Sequence, residues 1–276
     1  MVVSIVDGLA MDWINGMDAY EKMDAEFRRN LGGDDEGLRG LLSKFWLRPL
    51  WVDPVTTRRI DHIRTEPGYL DLSEAYHDSV EEGFFRGGDC VLSAEGLQSR
   101  GDYFWRPPGW VHKAWSTDGF DTILCMEGEV ASEESGRVSR IICADHEAGH
   151  QARDGEEGGI GPRGYVRHAE SHYMPWSPID GNVAGFEPSP LLACKVLSSN
   201  VDTDACSVLV RASAGWSGSI SAVARERFVV NTTGSVTADG QLLGDCSLIH
   251  IPAGDAGPAM SVSEDVELLV KVCEAR

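Results

Sequence analysis

"GDYFWRPPGWVHKAWS", residues 101 to 116, is the stretch on which the fold turns. Gly101 opens a short run, 102–106, rich in aromatic residues, as strands are. The Pro-Gly pair that follows makes a tight turn, and His112 begins the return strand. Side chains alternate along a strand, so His112 and Ala114 share a face and can point into a barrel interior together.

The texture continues on both sides. From Leu47 to about Ala144, short runs such as "RRIDHIR", "DCVLS", "DTILCMEGEV" and "VSRIICAD" are separated by Gly- and Pro-bearing turns. That pattern predicts an all-β sandwich or barrel. Residues 151–164, "QARDGEEGGIGPRG", lack apolar periodicity and read as a linker or long loop. The strand texture then resumes in "PLLACKVLSS", "CSVLVRAS", "ERFVVNTTGSV" and "VELLVKVC". The turns "EPGYLD" and "RPPGW" of the first half are echoed in order by "SAGWSG" and "IPAGD" in the second, the mark of an internal duplication. Before all of this, Tyr20, Met23, Phe27 and Leu31 fall at helical spacing and Gly32-Gly33 offer a stop, which predicts an amphipathic helix.

Bulk properties narrow the class. A chain of 276 residues can bury a large core without disulfides or structural metals. Its net charge of −20 repels phosphate backbones and argues against nucleic-acid binding. No apolar run reaches the ~20 residues of a membrane span. The first residues, "MVVSIVDGLAMDWING", lack the basic and long apolar regions of a secretory signal. The seven cysteines form no C-x-x-C pair and suit free thiols in a reducing cytoplasm.

The spacing of the opening stretch is more specific than its texture. Gly101, five residues, Pro107, one residue, Gly109, two residues, His112 and then Ser116 resembles the second motif of the cupin superfamily, with Ser116 where that motif ends in Asn. Upstream, Ala75-Tyr76-His77, three residues, Glu81, six residues and Gly88 resembles the first cupin motif, with Ala75 where its first histidine would stand. The wider pattern is similar to tandem-barrel (bicupin) proteins of the ChrR-like group, over about residues 45 to 130 and more loosely over 174 to 273. The resemblance implies two jelly-roll barrels and three metal ligands, His77, Glu81 and His112. Glu82 would break the spacing and face the other way. Two imidazoles and one carboxylate are a recognised iron(II) set that leaves positions open for substrate and oxygen.

In the second half the chemistry is missing. "AGWSGSISAVARERFVVNTTG" stands in the first motif's place without a histidine. In "GDCSLIHIPAGDAG", Gly257 occupies the position corresponding to His112, and His250 lies before the turn. Glu226 alone cannot bind a metal, so this half reads as a structural barrel. The expected organisation is a helical extension over 1–44, a barrel with the metal site over 45–150, a linker over 151–172, and a barrel without ligands over 173–276.

Around His112, Tyr103, Trp105, Trp110 and Trp115 can wall an apolar pocket or pack as core, and Ala114 lies on the histidine's face. Arg106 can pair with a substrate carboxylate or face outward. Alternation turns Tyr76 away from the metal, and the facing of His62 is undecided. A second pattern, His146-Glu147-Ala148-Gly149-His150, matches H-E-x-x-H. That motif needs a helix of several turns to bring both histidines to one face. β-Branched residues precede it and a glycine-rich loop follows, so it is read as accidental. No catalytic acid or base is singled out. The resemblance implies a metal-dependent enzyme acting on a small organic molecule, with dioxygenase-type oxidation at iron(II) foremost. The alternatives are a redox-neutral lyase or isomerase using manganese, nickel or zinc, and a non-catalytic binding or sensing barrel. Cupin barrels often pair through their sheets, which makes a homodimer a further expectation.

Overall fold

The structure, a computed structural model, describes residues 2–22, 36–56, 58–77, 79–107, 110–127, 141–143 and 166–273. Two compact units emerge. One is Asp12–Glu170, and the other joins Met1–Met11 to Ser171–Arg276. Both are built mainly of β-strands, paired antiparallel among the described residues, and the all-β, jelly-roll expectation holds. No helix among the described residues is long and apolar enough to cross a membrane.

In the Asp12–Glu170 unit the organising element is the thirteen-residue strand Val80–Leu92. Its first half pairs with Phe120–Glu127 on one side and Asp102–Arg106 on the other. Its second half pairs with Gly96–Ser99 and His112–Ser116. One strand thus passes from sheet to sheet, and the two faces enclose a core of Leu47, Ile63, Tyr69, Phe85, Cys90, Leu92, Phe104 and Phe120. The crossing falls at Gly88, whose φ of 66° is in the left-handed region. A Cβ there would lie 2.1 Å from the Gly119 carbonyl oxygen and 2.7 Å from the Phe120 Cα. Gly88→Ala should therefore destabilise this unit by ~2 kcal/mol or more in urea unfolding. An unchanged midpoint would show that the crossing can relax.

The other unit has a seven-stranded and a four-stranded sheet. Its interior is filled by apolar side chains, among them Phe186, Val210, Trp216, Ile220 and Ile251. The two units share a pairing scheme. Glu81 stands opposite Arg106 and Met126, as Arg227 stands opposite Ile251 and Val272. Pro107 and Pro252 follow Arg106 and Ile251. The duplication read from the turns therefore extends to the strand ladder, with an arginine in the second unit at the position of Glu81.

Several expectations need correction. Residues 1–44 are not a helical extension alone. Ser4–Val6 is a strand paired with residues 248–250, and Ile14–Asn15 pairs with Trp46 and Leu47. The β-branched run of residues 2–6 is long enough for an edge strand, although no turn links it to its partner. Helices occupy Gly16–Glu21 and Glu36–Ser43. Met23, Phe27 and Leu31 lie outside the described residues, as do residues 151–165 and the whole His146–His150 pattern. Val166–Glu170, expected as linker, is a strand paired with Asp102–Arg106.

Candidate metal centre

Three elements of the Asp12–Glu170 unit bring together the residues singled out from the motifs. His77 ends the strand Tyr69–His77, Glu81 is the second residue of Val80–Leu92, and His112 opens His112–Ser116. Their ligand atoms lie within 4.8 Å of one another. Glu81 Oε2 is 3.6 Å from His77 Nε2 and 3.6 Å from His112 Nε2. Ala75 stands directly opposite His112 in the ladder. The Trp110 carbonyl, 2.9 Å from His112 Nδ1, can only accept. Nδ1 therefore carries the proton, and the Nε2 lone pair is free for a ligand bond.

The arrangement fits a divalent ion. Among the described residues Glu81 Oε2 is buried without a hydrogen bond, with only the Arg106 guanidinium at ion-pair distance, and two imidazole nitrogens converge on it at distances too long for one. Donors bound to one ion at about 2.0–2.2 Å stand roughly 3–3.5 Å apart, close to the spacing seen.

A guanidinium shares this interior. Arg106 is 1% exposed, with Nη1 3.3 Å from Glu81 Oε2 and Nε 3.2 Å from Glu95 Oε1. Its charged end lies 4.4 Å from the centre of the Phe104 ring. Burial alone would raise the Glu81 carboxyl, but Arg106 and then His77 and His112 outweigh it and bring it down to about 2. Burial first and Arg106 second lower the His112 imidazole to about 3, with Glu81 opposing.

Both shifts make acid destabilising. A carboxyl with a depressed folded value stabilises the fold above its ordinary value and loses that contribution as pH falls through the folded one. A buried neutral histidine lets the unfolded chain take a proton that the folded chain refuses. In metal-free protein, unfolding free energy should decline from pH 6.5 toward 3 through His112, and from 4.5 toward about 2 through Glu81. Urea titrations at stepped pH should show Glu81→Gln flattening the lower segment. A variant with the wild-type slope below pH 4.5 would mean that another carboxyl is responsible.

The remaining pocket residues divide by strand face. Opposite Asp102–Arg106, Glu81 pairs with Arg106, Glu82 with Trp105 and Phe84 with Tyr103. Arg106 and Phe104 therefore face inward, and Tyr103 and Trp105 share the face of Glu82. The Tyr103 hydroxyl donates to Glu82 Oε2 over 2.6 Å. Tyr103 and Trp105 pack on the face away from the cluster and do not wall it. Arg106, read as facing either way, is inside. Trp110 meets the site through its carbonyl, and Ala114 packs against the inner core. Trp115 alternates to the face opposite His112. His62 lies on the face away from the core residue Ile63, with Nε2 3.0 Å from Asp121 and its ring 4.7 Å from that of Trp13.

Two interior residues escaped the sequence reading. They are Glu95, 4% exposed, and Gln98, which is fully buried. The only signal for Glu95 was the need of an inward arginine for a second carboxylate, and that need is invisible until Arg106 is known to face inward.

Compared with known proteins, the chain matches no family model and no curated protein. Its likeness is to solved structures. A candidate dioxygenase from Nostoc punctiforme superposes with a TM-score of 0.70 at 11% identity, covering 99% of this chain and 82% of the other. A salicylate 1,2-dioxygenase from Pseudoaminobacter salicylatoxidans, with gentisate, gives 0.57 at 12% identity over 98% and 81%. A bacterial pirin from Escherichia coli in complex with nickel(II) gives 0.55 at 10% identity over the full length of both chains.

Proposed function

We propose, from the cupin fold that these likenesses show and from the cluster of His77, Glu81 and His112, that the chain is a metal-dependent oxygenase acting on a small organic molecule. The observation that carries the reading is the convergence of two imidazole nitrogens on one buried carboxylate oxygen without a hydrogen bond between them. His77 and His112 would hold the ion through Nε2, and Glu81 through its carboxylate. A divalent ion supplies Lewis acidity here, and iron(II) adds the capacity to activate oxygen. The same donors accept manganese, nickel or zinc.

The protein's own part is positional. The Trp110 carbonyl fixes the His112 tautomer, and Phe104 and Arg106 shape the inner wall. Ala75 brings no ligand atom to the position opposite His112. That supports the presence of open coordination positions, as the dioxygenase neighbours also do. The second unit, with its filled interior, serves as scaffold.

The test needs no substrate. Protein loaded anaerobically with iron(II) and exposed to nitric oxide should give the high-spin iron–nitrosyl resonance, which requires an open position. Iron bound without that signal would rule out oxygen chemistry and favour a redox-neutral or structural site. Absence of iron uptake would leave a binding or sensing barrel of the ChrR-like kind.

A further inference from the structure

The buried guanidinium of Arg106 is answered twice, by Glu81 at 3.3 Å and by Glu95 at 3.2 Å. If Glu81 holds an ion, as proposed above, its charge is committed there. Glu95 still pairs with Arg106 by charge, with Oε1 3.2 Å from Nε but no aligned hydrogen bond, and Nη1, the atom now turned to Glu81, becomes available on the side of the histidines. The Phe104 ring lies against the guanidinium, 4.4 Å from its central carbon, and helps hold it in place.

Charge points the same way. With the Glu81 carboxylate committed to a divalent ion, the buried guanidinium keeps Glu95 at ion-pair distance, and a buried cation favours a further anionic partner. Gln98 adds a polar group. It stands opposite the core residue Cys90 in the ladder, so it shares that residue's inward face. It is wholly buried, and neither atom of its amide has a partner among the described residues. Leaving such a group unpaired costs about 1–3 kcal/mol, which an incoming polar ligand would relieve.

We propose that Arg106, steadied by Glu95, is the anion-recognition group of this interior, and that the ligand it takes is a small organic carboxylate. The inference rests on the metal reading. Glu95 is a positioning residue, acting through Arg106.

Benzoate and benzamide share their shape and differ in charge, which makes them suitable probes. Zinc replaces iron so that binding can be measured by calorimetry without turnover. Zinc-loaded wild-type protein should bind benzoate about ten- to a hundredfold more tightly than benzamide, the range of a charge-assisted pair. Arg106→Gln should bring the two affinities to within about threefold, and its zinc stoichiometry should hold or rise because a competing cation has gone. Glu95→Gln should weaken the preference severalfold with zinc content unchanged, and it reports even if the arginine variant fails to fold. Equal binding of the two probes by zinc-loaded wild type, or a preference that survives Arg106→Gln, would overturn the anion site alone. Failure of the wild type to take up zinc would overturn the metal centre and this inference with it.

Discussion

Replacing His112 with alanine should take the chain from about one tightly held divalent ion to less than a tenth of that under the same dialysis, a loss of at least ~100-fold in affinity. Among the described residues only His77, Glu81 and His112 form a cluster able to hold an ion. Without His112 the remaining pair must also compete with Arg106, whose Nη1 already lies 3.3 Å from the Glu81 oxygen. Two donors and a rival cation cannot match three donors. Elemental analysis after equilibrium dialysis gives the answer, with the exposed His172→Ala as the control that should keep its metal. Unchanged metal in the His112 variant would show that any bound ion sits elsewhere.

The second large effect lies in the other unit. Arg227 is fully buried. Its Nη1 donates to the carbonyls of Ser221 at 2.7 Å and Ala184 at 3.3 Å, and its Nη2 to that of Asp255 at 2.6 Å. Three loop segments are thus tied to one side chain. Gly185 leaves the space for it, since a Cβ there would come within 2.4 Å of Nη1. Arg227→Ala removes all three donors at once, and each carbonyl left without one costs roughly 1 kcal/mol or more. A loss of ~3–4 kcal/mol is expected in urea unfolding followed through the buried Trp216 of the same unit. Arg227→Lys, with one nitrogen for three acceptors, should fall between. A loss under ~1 kcal/mol would mean that water replaces the guanidinium without difficulty. Metal content should not change, because this arginine stands at the ladder position where the first unit has Glu81.

What the sequence disclosed, and what it withheld, follows from the range of the forces involved. His77, Glu81 and His112 were legible through the resemblance of their spacing to the two cupin motifs, each of which lies within a short stretch of sequence. The facing of residues 102–106 was not. The turn after Arg106 breaks the count of alternation from His112, and only the register of Glu81 against Arg106 shows which side is inward. Local reading therefore assigned Tyr103 and Trp105 to the pocket, overlooked Phe104 and left Arg106 undecided. Glu95 was hidden for a related reason, since its partner is a strand away and its own neighbours look like a turn. Ser4–Val6 is the extreme case, a strand whose partners lie near the other end of the chain.

That strand has a consequence for how the protein can be cut and made. Ile5 packs against the core of the unit built from residues 171–276, and Asp7 reaches Ser247 across 240 positions of sequence. Closing so long a loop adds little entropy cost, because that cost grows only with the logarithm of length. The order of synthesis is another matter. The ribosome delivers residues 4–6 well over two hundred residues before their partners 248–250, so the edge of Leu248–Ile251 is born beside a strand that has waited through all of that synthesis. A gene fragment beginning at residue 171 would encode every other strand of this barrel and leave that edge bare, an invitation to aggregate. The second barrel is thus one folding unit and two stretches of message.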